Sequence, residues 1–224
     1  MRRAVIMGAS GMVGSHLLRL LLESPEVESV TALGRRALPQ THAKLRSATV
    51  DFADAAAMKA ALEEARAEEL FCCLGTTINK AGSQAAFRAV DFDAPLNFAK
   101  AGLAAGGQQY SICTAAGADP HSRIFYSRVK GELELALHGL AFPRGIKIAR
   151  PSMLLGHREE NRTAEKILMP VMKALAPICK GPLWKYRPIA AESVARAMLN
   201  AAFREPPGDR VYEGKPLFVL AGFP

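Results

Sequence analysis

Short runs of consecutive apolar residues alternate along the chain with longer stretches whose apolar positions return every three or four residues. The short runs read as strands: Ala4 to Met7, Ser29 to Leu33, Ala48 to Val50, Leu70 to Leu74, Tyr110 to Thr114, Ile146 to Ala149 and Leu217 to Leu220. The longer stretches read as helices: Val13 to Leu22, Ala53 to Ala67, Ala94 to Ala105, Ile124 to Leu140 and Ala191 to Phe203. Asp51 or Asp54, and Glu192 or Ser193, stand near two of their starts as candidate caps. Such alternation predicts an α/β fold with a doubly wound parallel sheet covered by helices on both faces. The 224 residues, half of them hydrophobic, suit a single domain over residues 1–224 with a full core. In such a sheet ligands collect beyond the carboxyl ends of the strands, so chemistry is expected in the loops that follow them.

The first of those loops is the most informative. Gly8-Ala9-Ser10-Gly11-Met12-Val13-Gly14 joins the first strand to the first helix, which is how backbone N–H groups are brought up to a dinucleotide pyrophosphate. Gly8 lets the chain turn sharply, Gly11 lets the backbone approach phosphates, and Gly14 lets the helix pack closely. The second loop, Gly34-Arg35-Arg36, carries two guanidinium groups where an acidic residue would select NAD. Arg35 or Arg36 can pair with a 2′-phosphate through charge-assisted hydrogen bonds of about 1.5–3 kcal/mol each, so the expected cofactor is NADP(H). Asp51, in Val50-Asp51-Phe52, could accept a hydrogen bond from the adenine amino group or cap the following helix. Gly75, in Leu74-Gly75-Thr76-Thr77, lets backbone pass close to the adenosine ribose.

Tyr126 and Lys130, four apart on a helical stretch, share one face. A tyrosine that exchanges a proton during hydride transfer must become phenolate near neutrality, about 3 pH units or about 4 kcal/mol below its unperturbed value. The Lys130 ammonium is a natural source of that field.

Charge and cysteine usage narrow the classes. The net charge of +8 comes from scattered basic residues with no interleaved aromatic platform, which argues against a nucleic-acid partner. The first apolar run is too short for a secretory signal and no run is long enough to span a bilayer, so a cytoplasmic protein without membrane contact is expected. Cys72, Cys73, Cys113 and Cys179 lack metal-ligand spacing and read as buried thiols, so no metal is expected. Residues 157–188, with a charged start and interrupting prolines, break the alternation and read as an excursion covering the mouth of the site.

Gly8 to Gly14, Tyr126 to Lys130 and Asp91-Phe92-Asp93-Ala94-Pro95-Leu96-Asn97 together resemble the atypical short-chain dehydrogenase/reductase superfamily. Cys72-Cys73-Leu74-Gly75-Thr76-Thr77, Lys80-Ala81-Gly82, Gly117-Ala118-Asp119, Val129-Lys130-Gly131-Glu132 and Arg150-Pro151-Ser152 more narrowly resemble its Tat-interacting-protein-like oxidoreductases and their bacterial relatives. The resemblance covers nearly the whole chain. It implies a single Rossmann-type domain, an NADP(H) site and Tyr126 with Lys130 as the catalytic pair. The implied cofactor contacts run over Gly8, Ser10, Gly11, Met12, Val13, Gly14, Arg35, Arg36, Asp51, Phe52, Leu74, Gly75, Thr76, Arg150, Pro151 and Ser152. The superfamily places a serine just after the fifth strand to hold the substrate carbonyl, and this chain offers Thr114 instead.

The expected activity is hydride transfer to or from a small carbonyl or alcohol substrate, by a monomer or homodimer. A sugar-nucleotide epimerase or dehydratase is the weaker enzymatic reading, because 224 residues are short for a Rossmann domain with a separate substrate domain. The alternative from another class is an NADPH-binding regulatory protein with little or no turnover.

Overall fold

The computed structural model describes residues 1–155, 184 and 187–223. Seven parallel strands form the central sheet in the order β3-β2-β1-β4-β5-β6-β9. These are β1 (Arg2–Met7), β2 (Val27–Gly34), β3 (Leu45–Thr49), β4 (Glu69–Cys72), β5 (Gln109–Cys113), β6 (Ile146–Arg150) and β9 (Arg210–Glu213). The parallel, doubly wound sheet is the one the apolar pattern predicts. A further pair, β7 (Leu154–Leu155) and β8 (Ile189–Ala190), joins the two ends of the excursion. Most of residues 157–188 lies outside the described residues, and so does Cys179.

Strand β1 shows why a central strand reads as an unbroken apolar run. Ala4 and Ile6 enter the core on one face, and Val5 and Met7 enter the core on the other. The first core is closed by α1 (Met12–Glu23) and α7 (Ala191–Phe203), through Leu17, Leu21, Val194 and Met198. The second is closed by α2 (Ala55–Ala65), α5 (Ala94–Ala104) and α6 (Phe125–His138), through Met58, Leu62, Phe98, Leu133 and Leu137. Cys72 and Cys73 take part in opposite cores, as neighbouring residues leaving a strand must.

Two elements depart from expectation. Leu217 to Leu220 is not a strand but part of α8 (Lys215–Leu220), and the last strand is Arg210–Glu213. Pro216 begins that helix after Gly214, and Leu217 and Phe218 are buried together. The true edge strand, Arg-Val-Tyr-Glu, is too polar to stand out as an apolar run. Residues between β4 and α5, to which the apolar pattern assigns no element, form α3 (Ile78–Ala81), α4 (Gln84–Arg88) and a π turn at Ala89–Asp93. Thr77 and Ser83 cap the two short helices by accepting from the N–H groups of Lys80 and Ala86.

Gly131 fixes a loop against α6. A Cβ there would lie 2.2 Å from the carbonyl carbon of Asp119, so only glycine lets the segment after β5 rest on the helix one residue beyond Lys130. Gly131→Ala is expected to destabilise the fold by about 1–3 kcal/mol. Urea-unfolding midpoints should show this against Gly139→Ala, whose Cβ would meet nothing closer than 3.6 Å.

Candidate functional site

Strand β1 lies between β2 and β4, so connections leave it in opposite directions and a crevice opens at its carboxyl end. The glycine turn fills that position. Gly8 has φ of +85°, and a Cβ on it would stand 2.6 Å from the carbonyl carbon of Cys73. Gly14 lets α1 close onto the turn itself, since its Cβ would stand 2.1 Å from the Gly8 carbonyl oxygen. Gly11 donates its N–H to Gly8 O at 3.0 Å and starts α1 without a side-chain cap, and no acidic residue occupies the first turn. The positive end of α1 is therefore uncompensated and suited to an anion. Ser10 and Gly11 are exposed and Met12 is half-buried, whereas the Val13 side chain belongs to the core.

Several other sequence-derived candidates follow the carboxyl ends of the strands beside β1. Arg35 and Arg36 are exposed just beyond β2. Asp51 accepts from the N–H of Ala53 at 3.0 Å, and the helix cap is Asp54, which accepts from Ala57 at 2.9 Å. Phe52 and Leu74 are partly buried against the second core. Gly75 lies over a buried ion pair: a Cβ there would be 3.5 Å from Asp91 Oδ1 and 3.9 Å from Lys130 Nζ. The Thr76 N–H donates to Asp91 Oδ2 at 2.8 Å.

Tyr126 stands in the first turn of α6, its ring tilted against Phe87 with centroids 5.8 Å apart. Lys130 follows one turn later, buried, with Nζ 2.7 Å from Asp91 Oδ1. Burial works against its charge, but the Asp91 carboxylate and then Tyr126 work for it, and the balance holds Lys130 above the ordinary lysine value. Tyr126 and Lys130 thus lie one turn apart on α6. The carboxylate holding Lys130 was not anticipated.

Thr114 leaves β5 with its N–H on Ala149 O at 2.9 Å. Its hydroxyl donates to Oε1 of buried Glu134 at 2.6 Å, because a carboxylate held by Arg150 can only accept. The hydroxyl's single hydrogen is thereby committed to Glu134, which leaves only its acceptor lone pairs uncommitted. Arg150 directs its donors to Glu134 and to Glu213 Oε2, the latter at 3.2 Å, tying β6 to α6 and β9. Its guanidinium is held above the ordinary arginine value chiefly by the hydrogen bond to Glu134. Pro151 O accepts the N–H of Ala116 at 2.8 Å, and the Ser152 hydroxyl donates to Arg187 O. Removing the Thr114 hydroxyl should therefore be felt in stability. Thr114→Val is expected to cost about 1.5–3 kcal/mol in thermal or urea unfolding, with Thr114→Ser near wild type.

Sequence reasoning missed Asp91 and Glu134. The signal for Asp91 is an acidic residue four before a proline inside a helical stretch. Pro95 cannot donate the next helical bond, and the Ala94 N–H reaches Ala89 O, five residues back. That widened turn carries Asp91, which is 1% exposed. Glu134 sits four residues after Lys130 on the same helical face. Among the described cysteines, burial pushes Cys113 up to about 12 and holds Cys72 and Cys73 above the ordinary thiol value, which disfavours the nucleophilic thiolate. Among the described residues no group of three metal-ligating side chains is present, and no helix is long and apolar enough to cross a membrane.

A glycine turn at the switch point of a seven-stranded parallel sheet defines the class, a Rossmann-type dinucleotide-binding fold. The solved structures it resembles agree. The UDP-glucose 4-epimerase of Thermotoga maritima, crystallised with UDP-glucose, superposes with a TM-score of 0.70 at 14% identity, over 94% of this chain and 76% of that one. The Bordetella bronchiseptica enzyme WbmH, in complex with NAD+, gives 0.68 at 15% identity, over 95% and 75%. The chain belongs to the NAD dependent epimerase/dehydratase family, whose description matches residues 4–174. Within reach by sequence are Protein FMP52, mitochondrial, of Coccidioides immitis, 33% identical over 99% of this chain and 94% of that protein. Protein HTATIP2 of Rattus norvegicus is 36% identical over 71% and 66%.

The fungal names correct one expectation. Relatives from Coccidioides immitis, Aspergillus fumigatus and Scheffersomyces stipitis are called mitochondrial, which overturns the cytoplasmic placement expected from the chain. The physical reason is that a compartment is set by receptor-read signals, and neither core composition nor the length of an apolar run speaks to them.

Proposed function

We propose that this protein is an NADP(H)-dependent oxidoreductase that moves a hydride between the cofactor and a small carbonyl or alcohol. The observation carrying this reading is the placement of Tyr126 one turn before the buried Lys130 on α6, beyond the carboxyl end of β5, with the Lys130 ammonium held by Asp91. The glycine turn and the uncapped start of α1 would hold the pyrophosphate, and Arg35 with Arg36 would pair with the 2′-phosphate. The nicotinamide, when bound, supplies or accepts the hydride. In reduction Tyr126 gives its phenolic proton to the substrate oxygen, and in oxidation it takes that proton back. Lys130 stabilises the phenolate between these events. Thr114, fixed as an acceptor by Glu134, suits an alcohol hydroxyl better than a carbonyl oxygen.

That same commitment of Thr114 favours a second reading, an NADPH-binding regulatory protein with little or no turnover. NADPH oxidation across a panel of aldehydes, ketones and quinones separates the two. Turnover lost in Tyr126→Phe supports the enzyme. Tight NADPH binding without turnover supports the regulator, and failure to bind NADPH overturns both.

A further inference from the structure

We infer that Asp91 is a positioning residue: its carboxylate keeps Lys130 charged and fixed beneath the Gly75-Thr76 loop, so that the ammonium acts on Tyr126. The inference rests on the acid–base reading of Tyr126 and Lys130. Its basis is geometric. Lys130 and Asp91 are 3% and 1% exposed, and Nζ lies 2.7 Å from Oδ1. The second carboxylate oxygen takes the Thr76 N–H at 2.8 Å, so one side chain joins the loop after β4 to the lysine of α6.

A buried ammonium without a counter-charge tends to lose its proton. The groups facing Lys130 show where that counter-charge comes from. Asp91 approaches from the π turn, Tyr126 from α6 itself, Cys113 from β5 and Cys72 from β4. Both thiols are pushed upward by burial and stay protonated, so neither supplies negative charge. Glu134, one turn along α6, is paired with Arg150. Among the described residues, the Asp91 carboxylate makes the largest contribution in favour of the Lys130 charge.

The sign follows directly. Asp91→Asn deletes a negative charge beside two coupled groups, so the first proton to leave the Tyr126–Lys130 pair leaves at lower pH, whichever residue gives it up. Asparagine keeps an oxygen to accept from Thr76, which preserves the loop contact. The alkaline limb of NADPH oxidation should move down by about 1–3 pH units. Asp91→Glu, which restores the charge one methylene away, should recover most of that shift with a lower kcat.

A second readout needs no turnover. In protein labelled with ¹³C at the lysine ε-carbon, the Lys130 resonance, assigned by its loss in Lys130→Met, should titrate at lower pH in Asp91→Asn than in wild type. Circular dichroism confirms that each variant is folded, and Asp91→Ser, read in the same titration, serves as the charge-deleting variant where Asp91→Asn is not. Identical Lys130 titration in wild type and Asp91→Asn, or a resonance in Asp91→Glu shifted as far as in Asp91→Asn, overturns the inference. Absence of turnover in wild type overturns the functional reading alone, while the lysine titration still decides the role of Asp91.

Discussion

Tyr126→Phe is expected to lower NADPH-dependent turnover by about 10²–10⁴-fold, the usual contribution of a positioned general acid. The ring rests against Phe87 at 5.8 Å, and phenylalanine preserves that contact, so the unfolding midpoint should stay near wild type. Tyr126 is 36% exposed, so its hydroxyl is removed without opening a hole in the core. Cofactor affinity should also change little, because the substitution deletes a proton donor and no cofactor anchor. The measurement is kcat for the best substrate of the panel, with NADPH affinity from fluorescence titration. Turnover within a few-fold of wild type removes Tyr126 from the chemistry.

The second large effect concerns cofactor choice. Replacing both Arg35 and Arg36 with alanine should weaken NADPH binding by ~10²-fold or more while leaving NADH binding within a few-fold, since each charge-assisted bond to a 2′-phosphate contributes about 1.5–3 kcal/mol. Both side chains are exposed beyond the end of β2, so neither is needed for packing. Much of the difference should disappear in high salt, because exposed charges are screened. Equal losses for NADPH and NADH would mean that the two arginines do not read the 2′-position. The single variants then apportion the effect, and a guanidinium that stacks or pairs bidentately should outweigh its neighbour.

Most of the sheet was legible because central parallel strands are buried on both faces and read as apolar runs. The edge strand Arg210–Glu213 was not, since exposure on an edge leaves polar residues along it, while the apolar run after it belongs to α8. The glycine turn could be read at each position because a missing Cβ is a local requirement: Gly8 needs a positive φ and Gly14 needs contact with the turn before it. Tyr126 and Lys130 were legible as a pair because helical spacing alone puts them on one face.

Their partners were not. Asp91 is 39 residues before Lys130, and Glu134 is 20 residues after Thr114. Local periodicity puts Glu134 on a helical stretch and Asp91 just ahead of one, but it does not say that a widened turn ahead of Pro95 carries Asp91 against Lys130. Nor does it say that Arg150 turns back from β6 to hold Glu134. By itself, then, the amino-acid order determined the central strands and the longer helices, the glycine turn and the tyrosine–lysine face, all of which depend on neighbours a few residues apart. The tertiary structure alone decided which charges oppose one another inside the site. A buried ammonium and a buried hydroxyl take their electrostatic state from whatever packing brings within a few ångströms, and distance along the chain does not record that.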